Sequence, residues 1–256
     1  MSTCNQSTYR INGFLGASMV KKQVKKLMKF WSEERGLSVF LTILVIEMFV
    51  IGPMMRAGAL LNLASDLLFS LLLLAGALTV LHHRVFQWVA GVLVALAIGF
   101  RWASIGFGTT ELLFLNGALS LAAALAFLLI VLWSVFREGP ITTHRILGAI
   151  AAYLLLALCF SLAYNLIAYA DPGAFTTSGA ETQRPQVRVW GFLYFSVVTL
   201  TTVGFGDIAA VHPIARSLVM LEAIIGTLYP AILLARLVTL EIETRRTRQA
   251  KKDVHE

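Results

Sequence analysis

The sequence predicts an all-α integral membrane protein with six transmembrane helices and a re-entrant segment between the fifth and the sixth. Two observations carry this prediction. Of the 256 residues, 58% are hydrophobic and 14% are charged, whereas soluble domains carry about 25% charged residues. The apolar residues also lie in long, nearly charge-free blocks of about 20 residues, which is the length that a lipid bilayer requires. A water-soluble globule is therefore excluded.

Six apolar blocks are each long enough to cross about 30 Å of hydrocarbon at a rise of about 1.5 Å per residue. They are residues 37–54, 60–81, 85–106, 112–136, 146–170 and 214–240. The short links between them contain glycine, proline or charged residues, which commonly end helices. The chain is therefore predicted to cross the membrane six times.

The net charge of +7 indicates how these spans are oriented. If both termini are cytoplasmic, fifteen of the 21 Lys and Arg residues fall in inner segments. The outer segments then hold Arg56, Arg101, Arg184 and Arg188. This bias predicts a multi-pass protein of the plasma membrane with both ends in the cytoplasm. Base-stacking and zinc-knuckle patterns are lacking, so nucleic acid is not an expected partner.

The N-terminal region, residues 1–36, is predicted to be a cytoplasmic tail with an amphipathic helix on the inner leaflet. Its apolar residues follow helical spacing, and lysines occupy the other faces, which favours binding to anionic lipids. The lysines are Lys21, Lys22, Lys25, Lys26 and Lys29. The alternative is a solvated basic tail. At the other end, residues 241–256 are predicted to be a short cytoplasmic tail.

The region between the last two spans differs from the other links. Residues 171–188 are polar and rich in Thr, Ser and Gly, as in an outer loop. Residues 190–201 are apolar but too short to cross a bilayer, so we expect a re-entrant helix there. The chain that follows has to be buried or to face water, because non-helical backbone is tolerated at membrane depth only under those conditions.

This re-entrant segment leads into Thr-Val-Gly-Phe-Gly-Asp at 202–207, preceded by Thr201. The motif resembles the selectivity filter of the potassium channel superfamily, T-V-G-Y/F-G-D. Potassium exchanges its water shell for backbone carbonyl oxygens that all point at one axis. In an ordinary β-strand, successive carbonyl groups point in opposite directions. For all of them to point the same way, successive residues have to alternate between right-handed and left-handed backbone conformations. Gly204 and Gly206 supply conformations that residues with a Cβ avoid.

The resemblance implies a set of functional residues. K⁺ binds at Thr202, Val203, Gly204 and Phe205, with Gly206 completing the filter, while Thr201, Asp207 and Glu222 support it. Glu222 is expected to bond behind the pore helix, to Thr199 or Ser196, or to act directly on permeation. Each carbonyl ring needs four chains, because one chain carries one filter, so a homotetramer is expected. No cofactor is expected apart from the permeant ion.

The resemblance also assigns the segments of a pore domain, residues 146–240. It comprises an outer helix, a pore helix at 190–201, the filter at 202–207 and an inner helix at 214–240. Gly226 stands where the family commonly has a gating hinge, and Pro230 permits a kink. The alternative is a static bend.

Residues 37–136 resemble a four-helix voltage-sensor domain, joined to the pore by a cytoplasmic linker at 137–145. A working sensor needs arginines at every third residue of its fourth helix, and 112–136 contains no Lys or Arg. Moving a charge through the field yields about 2.3 kcal/mol per 100 mV. Conventional voltage gating is therefore not expected, and the gating stimulus stays open.

Several polar residues fall within or beside the apolar blocks. Glu47 and Asp66 are expected to form structural ion pairs, with Arg101 and Arg56 as candidate partners, or Glu47 is protonated. The alternative is that they sense protons or a ligand. Arg236 is expected to reach lipid or Glu241. His82 and His83 are expected to lie at the membrane–water interface. Metal binding is the weaker alternative.

The sequence thus predicts a potassium-selective channel and no enzyme. The nearest alternative is a less selective cation channel. An altered filter motif would have indicated it, but the motif is intact. A potassium transporter subunit would carry several degenerate filters in one chain. A membrane enzyme would need polar residues gathered at one depth, whereas Glu47, Asp66 and Glu222 are scattered along the sequence.

Overall fold

A computed structural model describes residues 35–51, 63, 67–72, 74–75, 91–92, 94–102, 110–136, 143–177 and 185–253. The elements in these ranges are α1 (Arg35–Ile46), a π-helical turn (Glu47–Ile51), α2 (Thr110–Phe136), α3 (Thr143–Ala170), β1 (Phe175–Thr177), α4 (Pro185–Leu200), β2 (Ile208–Ala210) and α5 (Pro213–Asp253). Further helical residues lie within 67–75 and 91–102.

Among the described residues, three helices are long and apolar enough to cross a membrane. These segments are Glu111–Phe136 of α2, Arg145–Ala170 of α3 and Pro213–Thr239 of α5. They correspond to the fourth, fifth and sixth predicted spans. In the first predicted span, α1 continues directly into the π-helical turn at Glu47–Ile51, and Ser38–Val50 form one apolar helix as far as the structure describes this region. The second and third spans lie largely outside the described residues, so six crossings stay a prediction.

Helix α3 lies at the centre of the described fold and contacts α1, α2, α4 and α5. Gly117 near the start of α2 packs on Leu166 near the end of α3, so these two helices run antiparallel. Small side chains on α3, such as Ala151, Ala152 and Ala157, are fully buried and allow neighbouring helices to approach closely.

Helix α4 begins five residues before the expected start at 190. Pro185 is its first residue, a position that suits proline because its fixed φ is already helical and its missing N–H is not needed there. The sequence-based prediction had α4 begin at 190 because the apolar residues begin there. The first turn of α4 therefore occupies part of the segment predicted to be an outer loop.

Helix α5 continues to Asp253, thirteen residues beyond the predicted end of the inner helix at 240. Residues 231–253 contain no Gly or Pro to end it. Most of the segment predicted to be a short tail, residues 241–256, is thus a helical continuation of α5.

Strands β1 and β2 form a two-stranded antiparallel sheet with Phe175 opposite Ala210 and Thr177 opposite Ile208. β1 follows α3 closely, and β2 lies just before α5. Because the strands pair, α3 ends and α5 begins on the same side of the fold. The segment between them therefore leaves and returns on one side, as a re-entrant segment requires.

Candidate functional site: the segment between α4 and β2

The backbone between α4 and β2 alternates in handedness. Thr202, Gly204 and Gly206 have φ values of +60°, +55° and +78°. The two glycines were expected to adopt this conformation, whereas Thr202 was not. A positive φ in a β-branched residue is uncommon and is kept only where the surroundings impose it.

Two successive amide groups of this segment point back at α4. The N–H groups of Val203 and Gly204 both donate to the carbonyl oxygen of Val198, at 2.9 and 3.4 Å. Peptide groups here are trans, so each N–H is antiparallel to the carbonyl of the preceding residue. The carbonyls of Thr202 and Val203 consequently both point away from α4. A row of oxygens facing one side is the arrangement that binds a dehydrated potassium ion.

The turn that starts this segment is fixed by the last residues of α4. The N–H of Thr201 donates to Val197 O at 3.0 Å, and its Oγ1 donates to the same oxygen at 2.7 Å. The N–H of Thr202 donates to Thr199 O at 2.9 Å. Any displacement of the end of α4 therefore moves residues 202–207, the predicted filter, directly.

Tyr194 of α4 supports the second half of the predicted filter. Its ring stacks on Phe205 with centroids 6.4 Å apart and planes inclined by 8°. Its hydroxyl hydrogen-bonds with the carboxylate of Asp207. Sequence reasoning missed this residue, although a tyrosine in an apolar helix normally needs a partner for its hydroxyl. Tyr194 thus supplies a tyrosine hydroxyl behind the filter although position 205 is Phe.

Behind α4, Glu222 of α5 lies in a fully buried polar cluster. Its Oε1 bonds with the hydroxyl of Ser196, and its Oε2 accepts from the hydroxyl of Tyr164 on α3 at 2.5 Å. Ser196 Oγ also lies 2.8 Å from the carbonyl oxygen of Ala157 on α3. Glu222, Ser196 and Tyr164 are each 0% exposed. The expected contact with Ser196 is present, whereas the contact with Tyr164 was not foreseen.

The ring of Tyr164 belongs to an aromatic cluster that reaches the outer sheet. It meets Phe175 of β1 edge-on at 5.6 Å and Phe195 of α4 at 5.3 Å. Phe175 in turn lies 4.7 Å from Phe192. Since β1 pairs with β2, which follows Asp207, this cluster joins α3 and α4 to the C-terminal end of the predicted filter.

Gly226 packs directly against the end of α4. A Cβ at this position would lie 2.0 Å from the carbonyl oxygen of Leu200. That oxygen also accepts from the hydroxyl of Tyr153, at 3.2 Å. Helix α5 is continuous through Pro230. The structure therefore gives Gly226 a packing role that the sequence did not predict. Bending of α5 at Gly226 stays a prediction.

The middle of α5 is held to α3 and α2. Tyr229 donates to the carbonyl oxygen of Ala149 at 2.8 Å and stacks on Tyr153. The guanidinium of Arg236 donates to the carbonyl oxygen of Phe136, the last residue of α2, and lies 5.0 Å from the centre of its ring. Arg236 was expected to contact lipid or Glu241. It contacts α2 because a helix C-terminus attracts cations.

The remaining polar residues singled out in the sequence belong to other elements or lie outside the described residues. Glu47 begins the π-helical turn and is 9% exposed. Arg101 lies 4.5 Å from the ring centre of Phe69. Outside the described residues lie Arg56, Asp66, His82, His83 and the lysines Lys21, Lys22, Lys25, Lys26 and Lys29.

Comparisons with known proteins agree with this geometry. Residues 151–243 match the family model described as "Ion channel". The inward rectifier potassium channel Kirbac3.1 of Paramagnetospirillum magnetotacticum is 34% identical over 84 residues, which is 31% of this chain and 24% of that protein. Two pore potassium channel c of Oryza sativa subsp. japonica is 35% identical over 96 residues, 37% of this chain and 20% of that protein.

A third relative, Protein LctB of Bacillus caldotenax, is 29% identical over 87 residues, 34% of this chain and 64% of that protein. No solved structure gave a significant match. The chain thus spans about a quarter or less of the first two relatives. The matches support the potassium channel superfamily for the region from α3 to α5, in a membrane protein with an ion channel domain.

Proposed function

We propose that four copies of the chain form a potassium-selective channel that conducts K⁺ passively across the plasma membrane. The observation that carries the proposal is the orientation of the Thr202 and Val203 carbonyls, which point away from α4 because the next amides are bonded to Val198. Thr202, Val203, Gly204 and Phe205 are the proposed ligands of the ion.

The exposure of the filter in a single chain supports self-association. Val203 is 54% exposed and Phe205 is 68% exposed, and apolar side chains on α5 such as Met220, Ile224 and Leu228 are exposed as well. Side chains that fix a filter need packing partners, and a neighbouring copy supplies them. Four copies around one axis complete each ring of oxygens.

We further infer that conventional voltage gating is absent, since α2 carries no Lys or Arg between Leu112 and Phe136. The packing of α2 along α3 within one chain favours a tetramer in which each chain's outer helices lie beside its own pore. Cytoplasmic termini, anionic lipid at the N-terminal lysines and the lack of enzymatic activity belong to the same proposal.

The experiment is a reversal-potential measurement on the purified protein in liposomes, with K⁺ on one side and Na⁺ on the other. We expect a potential close to the K⁺ equilibrium limit. Gly204→Asp should abolish the K⁺ current, because a side chain at a φ of +55° distorts the backbone and adds a carboxylate to the pore.

Gly173→Ala is the matched control. Gly173 lies in the loop before β1, where a Cβ would meet Asp171 at an ordinary distance of 3.4 Å, so the K⁺ current should persist. A current that reverses near zero would replace the proposal with a less selective cation pore. A catalytic turnover without ion flux would indicate a membrane enzyme instead.

A further inference from the structure

Glu222 is a carboxyl group buried among hydroxyl groups inside a membrane-spanning helix. Its partners are Ser196 on α4 and Tyr164 on α3, and Tyr153 on α3 is the other titratable group that faces it. No Lys, Arg or His among the described residues forms an ion pair with it. An ionised carboxylate is costly to bury in a membrane without a cation.

The number of hydrogens available to Ser196 indicates the protonation state of Glu222. Ser196 Oγ is in contact with the carbonyl oxygen of Ala157 and with Glu222 Oε1, but a serine hydroxyl has one hydrogen to donate. The carbonyl has none, and Tyr164 uses its hydrogen on Oε2. If Glu222 were ionised, one of the two contacts of Ser196 would hold two oxygens with no hydrogen between them.

We propose that Glu222 is a neutral carboxylic acid that donates through Oε1 to Ser196, and that this junction positions the selectivity filter. Ser196 then donates to Ala157, and Oε2 accepts from Tyr164. Every hydroxyl hydrogen in the cluster has an acceptor in this arrangement. The carboxyl group therefore joins α3, α4 and α5 without a buried charge.

The junction reaches the filter from both ends. Ser196 lies one helical turn before Leu200, after which the chain enters the filter. The ring of Tyr164 packs on Phe175 of β1, and β1 pairs with the strand that follows Asp207. A displacement of α5 at Glu222 is thus transmitted to the inner end of the filter through α4 and to its outer end through the sheet. This second step rests on the proposed channel function.

Infrared difference spectroscopy of the full chain in liposomes tests the protonation state by itself. We expect the wild-type protein at neutral pH to show the carbonyl-stretching band of a protonated carboxylic acid, and Glu222→Gln to lack it. Glu47→Gln is the control, because Glu47 is a second buried glutamate and belongs to the π-helical turn after α1; it should leave the Glu222 band in place.

Ion flux tests the positioning role. Glu222→Gln should keep the K⁺ over Na⁺ selectivity of the wild type, because an amide donates to Ser196 and accepts from Tyr164 as the neutral acid does. Glu222→Ala should lose that selectivity. Raising the pH should weaken the selectivity of the wild type by ionising Glu222 and should leave Glu222→Gln unchanged.

Absence of the band from the wild type at neutral pH would overturn the proposal that Glu222 is neutral. This measurement does not depend on the folding of any variant. Full selectivity in Glu222→Ala would overturn the positioning role. A wild type that shows the band but has no K⁺ selectivity would refute the channel function while supporting the neutral acid. The two failures are therefore distinguishable.

Discussion

Replacing Gly226 with alanine is expected to damage the filter, because the added methyl group has no room beside α4. The new Cβ would lie 2.0 Å from Leu200 O, 2.8 Å from its carbonyl carbon and 2.9 Å from its Cα. All three are backbone atoms, so no side-chain rotation relieves the contact.

The size of the displacement follows from these distances. An ordinary contact begins at 3.4 Å, so the Leu200 oxygen has to retreat by about 1.4 Å, the difference between 3.4 and 2.0 Å. Leu200 is two residues before Thr202. Overpacking of this kind costs about 1–3 kcal/mol, whereas alanine favours a helix over glycine by about 1 kcal/mol. The backbone contact should dominate, so we expect lower stability together with loss of K⁺ selectivity.

The assay combines reversal potentials in liposomes with the thermal midpoint of the solubilised protein. Gly117→Ala is the matched control, since its Cβ would lie 3.0 Å from Cδ2 of Leu166, the end of a flexible side chain. That variant should keep its selectivity. If Gly226→Ala were equally selective and more stable, the close approach would not matter, and the residue would act only through helix flexibility.

Two further substitutions test other contacts of the site. Tyr194→Phe keeps the ring on Phe205 but removes the hydrogen bond to Asp207, so K⁺ currents should decay faster during sustained activity. An unchanged time course would contradict the support role. Arg236→Gln removes the cation at the end of α2, so amide hydrogen exchange in the last turn before Phe136 should accelerate. Equal exchange rates in the variant and the wild type would show that the contact does not stabilise the end of α2.

The sequence was sufficient to predict the alternating backbone of residues 202–207 but not all of the contacts that support it. Gly204 and Gly206 in a T-V-G-F-G-D motif require an alternating backbone, and their φ values agree. The positive φ of Thr202 was not predictable, because no local preference of a β-branched residue favours it. It is imposed by the amide bonds to α4.

Contacts between distant segments account for the rest. Tyr164 and Glu222 are 58 residues apart, and nothing in either local pattern links them. Gly226 could not be interpreted from the sequence for a different reason, because glycine suits both a hinge and a close helix contact. Only the position of Leu200 in the structure distinguishes the two. Arg236 was assigned to lipid because the helix end that attracts it, at Phe136, lies 100 residues earlier.

The pairing of β1 with β2 has a consequence for how the protein is made. Ile208 is synthesised 31 residues after Thr177, which at about 5–20 residues per second takes about 1.5–6 s. During that interval β1 has no strand to pair with. The sheet then closes a loop that contains the whole of α4 and residues 202–207, so this segment cannot reach its final position before β2 has been made.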